Sequence, residues 1–230
     1  MRDIVVEHLG LIDYLKALAY QEHIFDSIIQ SKLHTGHFQG DSHLMCLEHP
    51  SVYTIGKHGD INHLLKDNEL PLLGKIPIIR NKRGGDITYH GPGQLVVYPI
   101  LDLEQFFTDL KKYMWSLEEV VIRVLGDYGI QGERSPGEIG VWLDVDKPTQ
   151  VRKICAMGVR CSRWVTMHGI ALNVNTNLDY FKHIVPCGIY DKGVTSIAQE
   201  LQKQVPMEEV TKKFIFHFVD VFKVHTVKEK

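Results

Sequence analysis

The residue with the clearest chemical potential is Cys187, set in Pro186-Cys187-Gly188 between Val185 and Ile189. Proline before and glycine after predict a rigid turn rather than a core strand. A turn thiol acts as a nucleophile when a nearby cation favours its thiolate. Lys153 is a candidate for that cation, on a strand-like run whose neighbours Ala156 and Gly158 are small. The same two residues also fit a buried thiol and a solvated lysine. A second concentration of unusual residues is RGGDITYHGPGQL, Arg83 to Leu95, with four glycines and a proline between Gly84 and Gly93. Glycine admits positive φ and close approach of backbone to a ligand. Arg80, Lys82 and Arg83 place positive charge beside those amides, which suits an anionic or carbonyl-bearing ligand. An irregular structural turn fits the same residues. The pattern is neither of the common nucleotide phosphate loops. In Met167-His168-Gly169-Ile170-Ala171 a glycine interrupts a strand, which marks a bulge or a ligand approach. His168 there is either a hydrogen-bonding group behind the site or a satisfied structural histidine.

Three helical stripes and several short strands must position these residues. The stripes are Leu11, Leu15, Leu18, Phe25, Ile29; Leu110, Met114, Leu117, Val121, Val124, Tyr128; and Met207, Val210, Phe214, Val221, Phe222. The second is expected to be core and not part of a ligand site. Strands are expected at Ile4–Glu7, Leu44–Leu47, Ile76–Ile79, Gln94–Ile100, Gly140–Val145, Val151–Val159 and Trp164–Val174. Short polar turns between them favour antiparallel pairing. The class is α+β, a mixed and largely antiparallel sheet covered by helices. No linker or repeat divides residues 1–230, so one domain is expected.

Composition narrows the function classes. With 26 Lys and Arg against 28 Asp and Glu the net charge is −2, which argues against binding nucleic acid by bulk charge. No apolar run reaches the roughly 20 residues of a membrane span. The first ten residues carry Asp3 and Glu7 and no apolar stretch, unlike a secretory signal or transit peptide. The four cysteines, at 46, 155, 161 and 187, form no CxxC pair, so a reducing, cytoplasmic setting is expected. The thirteen histidines show no zinc-ligand spacing, and no metal is expected. Cys155 and Cys161 read as packing residues, although Cys155 stands two residues from Lys153 and shares its face if the strand is regular.

The motifs, taken in order, resemble those of the octanoyltransferases of lipoate biosynthesis. Glu48-His49-Pro50 with Val52–Gly56, the Arg83–Leu95 segment, Gly140-Val141-Trp142, Lys153–Arg160, Trp164–Val174 and Pro186–Ile189 with Val194-Thr195-Ser196 each resemble a family segment. Together they span roughly residues 5 to 200. The resemblance implies the α+β fold of biotin and lipoate protein ligase catalytic domains. It implies an acyltransferase that moves an octanoyl group from octanoyl-acyl carrier protein to a specific lysine. The acceptors would be lipoyl domains of 2-oxoacid dehydrogenase E2 subunits and the glycine-cleavage H protein. It implies Cys187 as the acyl-accepting cysteine and Lys153 as the catalytic lysine. Arg83, Gly84, Gly85, Asp86, Ile87, Thr88, Tyr89 and His90 would form one acyl-substrate segment. Ala156, Met157 and Gly158, and Gly169, Ile170 and Ala171, would form two others. A thioester donor and an amide product need no ATP, and no cofactor is implied.

The family's cysteine route asks Lys153 to favour the Cys187 thiolate and later to take a proton from the acceptor amine. Burial disfavours an ammonium, so Lys153 is expected in a partly closed pocket. The octanoyl tail needs an apolar slot, where seven methylene-type groups at ~0.8 kcal/mol each give up to about 5 kcal/mol. Gly84, Gly85, Gly158 and Gly169 are expected as its walls, with Tyr89 and His90 closing it near the carbonyl. An acidic carrier would dock on Arg80, Lys82, Arg83, Arg152, Arg160 and Arg163. The rivals are an ATP-dependent lipoate or biotin-type ligase, in which Cys187 has no role, and a non-catalytic acyl-binding protein.

Overall fold

The computed structural model describes residues 2–64, 76–185 and 192–230. The chain runs β1 (Asp3–Leu11), α1 (Tyr14–Thr35), β2 (Ser42–Glu48), β3 (Val52–Ile55), β4 (Ile78–Arg80), β5 (Ile87–His90) and β6 (Gln94–Ile100). It continues with α2 (Leu110–Gly126), β7 (Glu133–Ser135), β8 (Glu138–Leu143), β9 (Arg152–Ser162) and β10 (Val165–Asn173). It ends with β11 (Gly193–Val194), α3 (Ile197–Leu201), α4 (Met207–Phe222) and β12 (Thr226–Glu229).

The main sheet has the order β12-β1-β2-β6-β10-β9-β8-β7, with β11 added to β9, and a smaller sheet has the order β4-β3-β5. Pairing from β2 through β6, β10, β9 and β8 to β7 is antiparallel. The sheet is mixed, as expected, because β1 runs parallel to β2 and β12 and β11 runs parallel to β9. A parallel pair needs a crossover, and α1 supplies it. Alternation along the central strands splits the core in two. Leu44, Cys46, Leu95 and Val97 face α2 and α4, whereas Met45, Leu47, Val96 and Tyr98 face α1.

Helix α1 starts later than its stripe predicts. Leu11 closes β1, and Leu11 and Leu15 are exposed, while Tyr14, Ala17, Ile24, Phe25 and Ile28 are buried. The Asp13 carboxylate sets this phase by accepting from the Leu15 and Lys16 amides at 3.0 and 3.1 Å. The glycine-rich segment is not one loop, since its second half is β5, paired antiparallel to β3.

Candidate active site

The glycine loop is laid directly onto β9. Gly84 donates to the Val159 carbonyl at 2.9 Å. A Cβ on Gly158 would stand 2.6 Å from the Gly84 carbonyl oxygen, so the two backbones meet where no side chain fits. From the other side Gly56 packs against the Gly85 carbonyl and donates to Asp86 O at 3.2 Å. Gly169 performs the same service deeper in the sheet, where a side chain would collide with the Val97 carbonyl of β6. Arg83 turns inward from the loop. Its Nη2 donates to Thr54 O at 2.7 Å and to Thr54 Oγ1 at 2.9 Å, and its Nη1 donates to Gly84 O at 3.1 Å.

Between this loop and the sheet lies a cavity of about 590 Å³. Arg83 to Thr88 and His90 form one wall, and Lys153 with Ala156 to Val159 of β9 and His168 to Ala171 of β10 form another. The size is that of a small-molecule site, and apolar surface predominates in its lining. Leu110 and Met114 of α2 and Ile139 of β8 also border it, which corrects the reading of the α2 stripe as pure core. Leu110 and Met114 precede the fully buried Leu117, Val121 and Val124 on α2. The start of the stripe thus overhangs the cavity, and the remainder packs on the sheet.

The polar lining is a directional network built on neutral histidines. His90 donates from Nδ1 to Gln94 Oε1 at 2.8 Å, Gln94 Nε2 donates to Asn173 Oδ1 at 2.9 Å, and Asn173 Nδ2 donates to Thr195 O at 3.0 Å. The Thr54 hydroxyl, which accepts from Arg83, lies 3.3 Å from His90 Nε2 and donates to it. His49 donates to Ile12 O at 2.7 Å and accepts from the Tyr98 hydroxyl at 2.8 Å. Burial, reinforced by neighbouring charge including Arg83, pushes His90 down to about 3. Burial and then the charges of Arg83 and Arg160 push His168 down to about 3, and burial pushes His49 down to about 4. His168 occupies the left-handed region at φ 59°, and its amide is held by Gln21 Oε1 at 2.9 Å.

Lys153 reaches the cavity from β9, opposite Trp142 of β8. Its Nζ lies 4.3 Å from the centre of the Trp142 ring. Beside it Gly140 of β8 sits at φ 122°, and a Cβ there would stand 2.6 Å from the Cys155 carbonyl oxygen of β9, so the two strands meet there only through glycine.

The structure thus gathers Lys153, Arg83 to Thr88, His90, Ala156, Met157, Gly158, Gly169, Ile170 and Ala171 around one cavity. Tyr89 is the exception. Strand alternation sends its ring away from the cavity, onto Tyr180 at 4.7 Å and Phe181 at 5.5 Å, and its hydroxyl to Ser51 at 2.9 Å. Cys187 lies outside the described residues. Cys155 is no competing thiolate, since it is fully buried and its thiol is pushed up by that burial. The expected docking patch is broken up. Arg83 is buried, Arg152 pairs with Asp144 and Glu200 at 2.5 and 2.7 Å, and Arg160 lies over the Phe25 ring. Tyr14, Gln94, Tyr98 and Asn173 line the cavity without having been singled out from the sequence. Gln94, Tyr98 and Asn173 lie on strands buried along their whole length, and Tyr14 opens α1, so no periodicity in the sequence marked them as cavity-facing.

The sequence and the fold both have relatives among known proteins. Residues 13–219 match the model of the lipoyl protein ligase A/B catalytic domain. The chain belongs to that family. Within it the chain is 50% identical over 226 residues to an octanoyltransferase of Christiangramia forsetii, covering 96% of each chain. It is 49% identical over 230 residues to an octanoyltransferase of Cytophaga hutchinsonii, covering 97% of this chain and 94% of the relative. Among solved structures, the fold is similar to that of a bipartite lipoate protein ligase from Thermoplasma acidophilum. That match has a TM-score of 0.76 at 17% identity and covers 100% of this chain and 88% of the other. The family members at half identity make this chain an acyltransferase of the octanoyltransferase type, built on the ligase-like α+β fold.

Proposed function

We propose that this chain moves an octanoyl group from octanoyl-acyl carrier protein to a specific lysine of lipoyl domains, by way of a thioester on Cys187. The acceptors are the E2 subunits of 2-oxoacid dehydrogenases and the glycine-cleavage H protein. The observation that carries the reading is the apolar cavity walled by the glycine loop, β9 and β10, with Lys153 on its lining. Lys153 takes the Cys187 proton, and the thiolate attacks the octanoyl carbonyl. The bond from carbonyl carbon to the phosphopantetheine sulfur breaks, and that sulfur leaves as a thiol with the proton from Lys153. The acceptor amine then attacks the enzyme thioester and gives its proton to Lys153. An amide bond forms, the bond to Cys187 breaks, and Lys153 returns the proton to the released sulfur. The thioester supplies the driving force, so the cycle needs no ATP.

Intact-protein mass spectrometry with octanoyl-acyl carrier protein and no ATP tests this reading. The expected result is an octanoyl adduct that maps to Cys187 and disappears on addition of a lipoyl domain. Transfer that requires octanoate and ATP, with no adduct, would make the chain a ligase. Full transfer by Cys187→Ser would remove the covalent route.

A further inference from the structure

The surroundings of Lys153 contain a carboxylate that Lys153 does not pair with. Glu138 of β8 gives its Oε2 to Lys192 Nζ at 2.5 Å and to Ser135 Oγ at 2.8 Å. Lys192 stands immediately before β11, whose Val194 is in register with Lys153 on β9. Its Nζ lies 5.0 Å from the centre of the same Trp142 ring that Lys153 overlies at 4.3 Å. Burial pushes the Glu138 carboxyl up, but hydrogen bonds from Lys192 and Ser135 and the charges of both lysines outweigh it and hold it below its ordinary value. Lys153 is therefore close enough to act on Glu138, whose Oε2 is held by Lys192 and Ser135.

We propose that Lys192 is a positioning residue that occupies Glu138 and so keeps the Lys153 amine available as a base. The inference rests on the reading of Lys153 as the proton acceptor. A lysine paired with a carboxylate holds its proton, because an opposite charge within about 4–6 Å favours the charged form. A ring face attracts the ammonium more weakly, and a second ammonium on that ring opposes it. The other groups around Lys153 do not substitute for Glu138. Glu118 of α2 is engaged by Arg134 at 3.2 Å and by the Gly140 amide at 3.1 Å. Cys155 on β9 is buried with its thiol pushed up. Trp142 carries no charge.

The test reads Lys153 directly. Trace acetylation of the folded enzyme with limiting acetic anhydride, quantified by peptide mass mapping from pH 6 to 11, gives the pH at which Lys153 becomes reactive. Lys192→Gln frees Glu138 and removes a like charge. The midpoint should rise by about one pH unit or more, a roughly tenfold loss of Lys153 reactivity at a fixed pH on the rising limb. Glu138→Gln leaves Lys192 uncompensated and should move the midpoint down. The double variant Glu138→Gln/Lys192→Gln should return to within about threefold of the unmodified enzyme. An unmoved midpoint in Lys192→Gln, or a double variant that stays with it, overturns the proposal. Single-turnover octanoyl transfer from preformed acyl-enzyme should shift in the same direction. Full transfer by Lys153→Gln would instead remove the base itself, whatever the labelling series shows.

Discussion

Acidification from pH 7 to pH 5 should weaken this protein through His90 by an amount that the structure sets. His90 is 6% exposed, donates to Gln94, accepts from Thr54, and is pushed down to about 3 by burial first and neighbouring charge second. In the unfolded chain it titrates near 6.5. As the pH falls below 6.5 the unfolded state takes up a proton that the folded state refuses until about pH 3. Stability is therefore complete above 6.5 and declines through the window between the two values. The cost of reaching pH 5 is about 1.4 kcal/mol per unit over about 1.4 effective units, or about 2 kcal/mol. His49 and His168, pushed down to about 4 and about 3, lie in the same window. The three together approach about 6 kcal/mol, comparable to the ~5–15 kcal/mol by which a domain is stable. Urea unfolding at pH 7 and pH 5 measures this. The His90→Gln variant should lose about 2 kcal/mol less than the parent between the two values, whatever its stability at pH 7. A stability difference between the two proteins that stays constant from pH 7 to pH 5 would refute the reasoning.

Gly158→Ala should destabilise the fold by about 1–3 kcal/mol and raise KM for the acyl donor, because its Cβ would stand 2.6 Å from the Gly84 carbonyl and lift the glycine loop off β9. Thermal unfolding and donor titration check both parts. Met114→Trp should crowd the cavity border that Met114 shares with Leu110. If it displaces two methylenes at ~0.8 kcal/mol each, preference should swing from octanoyl toward hexanoyl by about 15-fold, read as a ratio of kcat/KM values.

The sequence displayed the site's ingredients better than their grouping. The strand that carries Lys153 and the one that carries His168 to Ala171 were both legible in the sequence, the second to within one residue at each end, whereas the first runs three residues past its expected end at Val159. The run Gln94–Ile100 is a strand over that whole span. Glycine density marked the loop, but the reason for Gly158 and Gly169 is contact with the Gly84 and Val97 carbonyls, which lie far away in sequence. Tyr89 was misassigned because a glycine-rich stretch gave no period from which to assign faces, and β5 begins inside it. The parallel β1–β2 pair was hidden since α1 is a crossover and a long helix does not announce which strands it joins. His49, from the Glu48-His49-Pro50 motif, was visible as a motif and silent as to its partner Tyr98, 49 residues on.

Arg83 changes meaning between sequence and structure, and with it the chemistry of the cavity. In sequence it reads as a cation available to an anionic ligand. In the fold its guanidinium donates to Thr54 O, Thr54 Oγ1 and Gly84 O, and it is buried. A permanent charge fixed there opposes protonation of His90 and His168, in the same direction as their burial. Tyr14 and Tyr98 on the same lining are raised by burial and remain neutral as well. The histidine-bearing wall of the cavity therefore does not titrate between pH 5 and pH 8, although a chain with thirteen histidines would suggest otherwise. On the proposed reading, an octanoyl tail placed there would meet uncharged imidazole and phenol across that range. The charged groups that remain beside the cavity cluster around Lys153, where Glu138 accepts from Lys192 and the Trp142 ring faces the Nζ of both lysines.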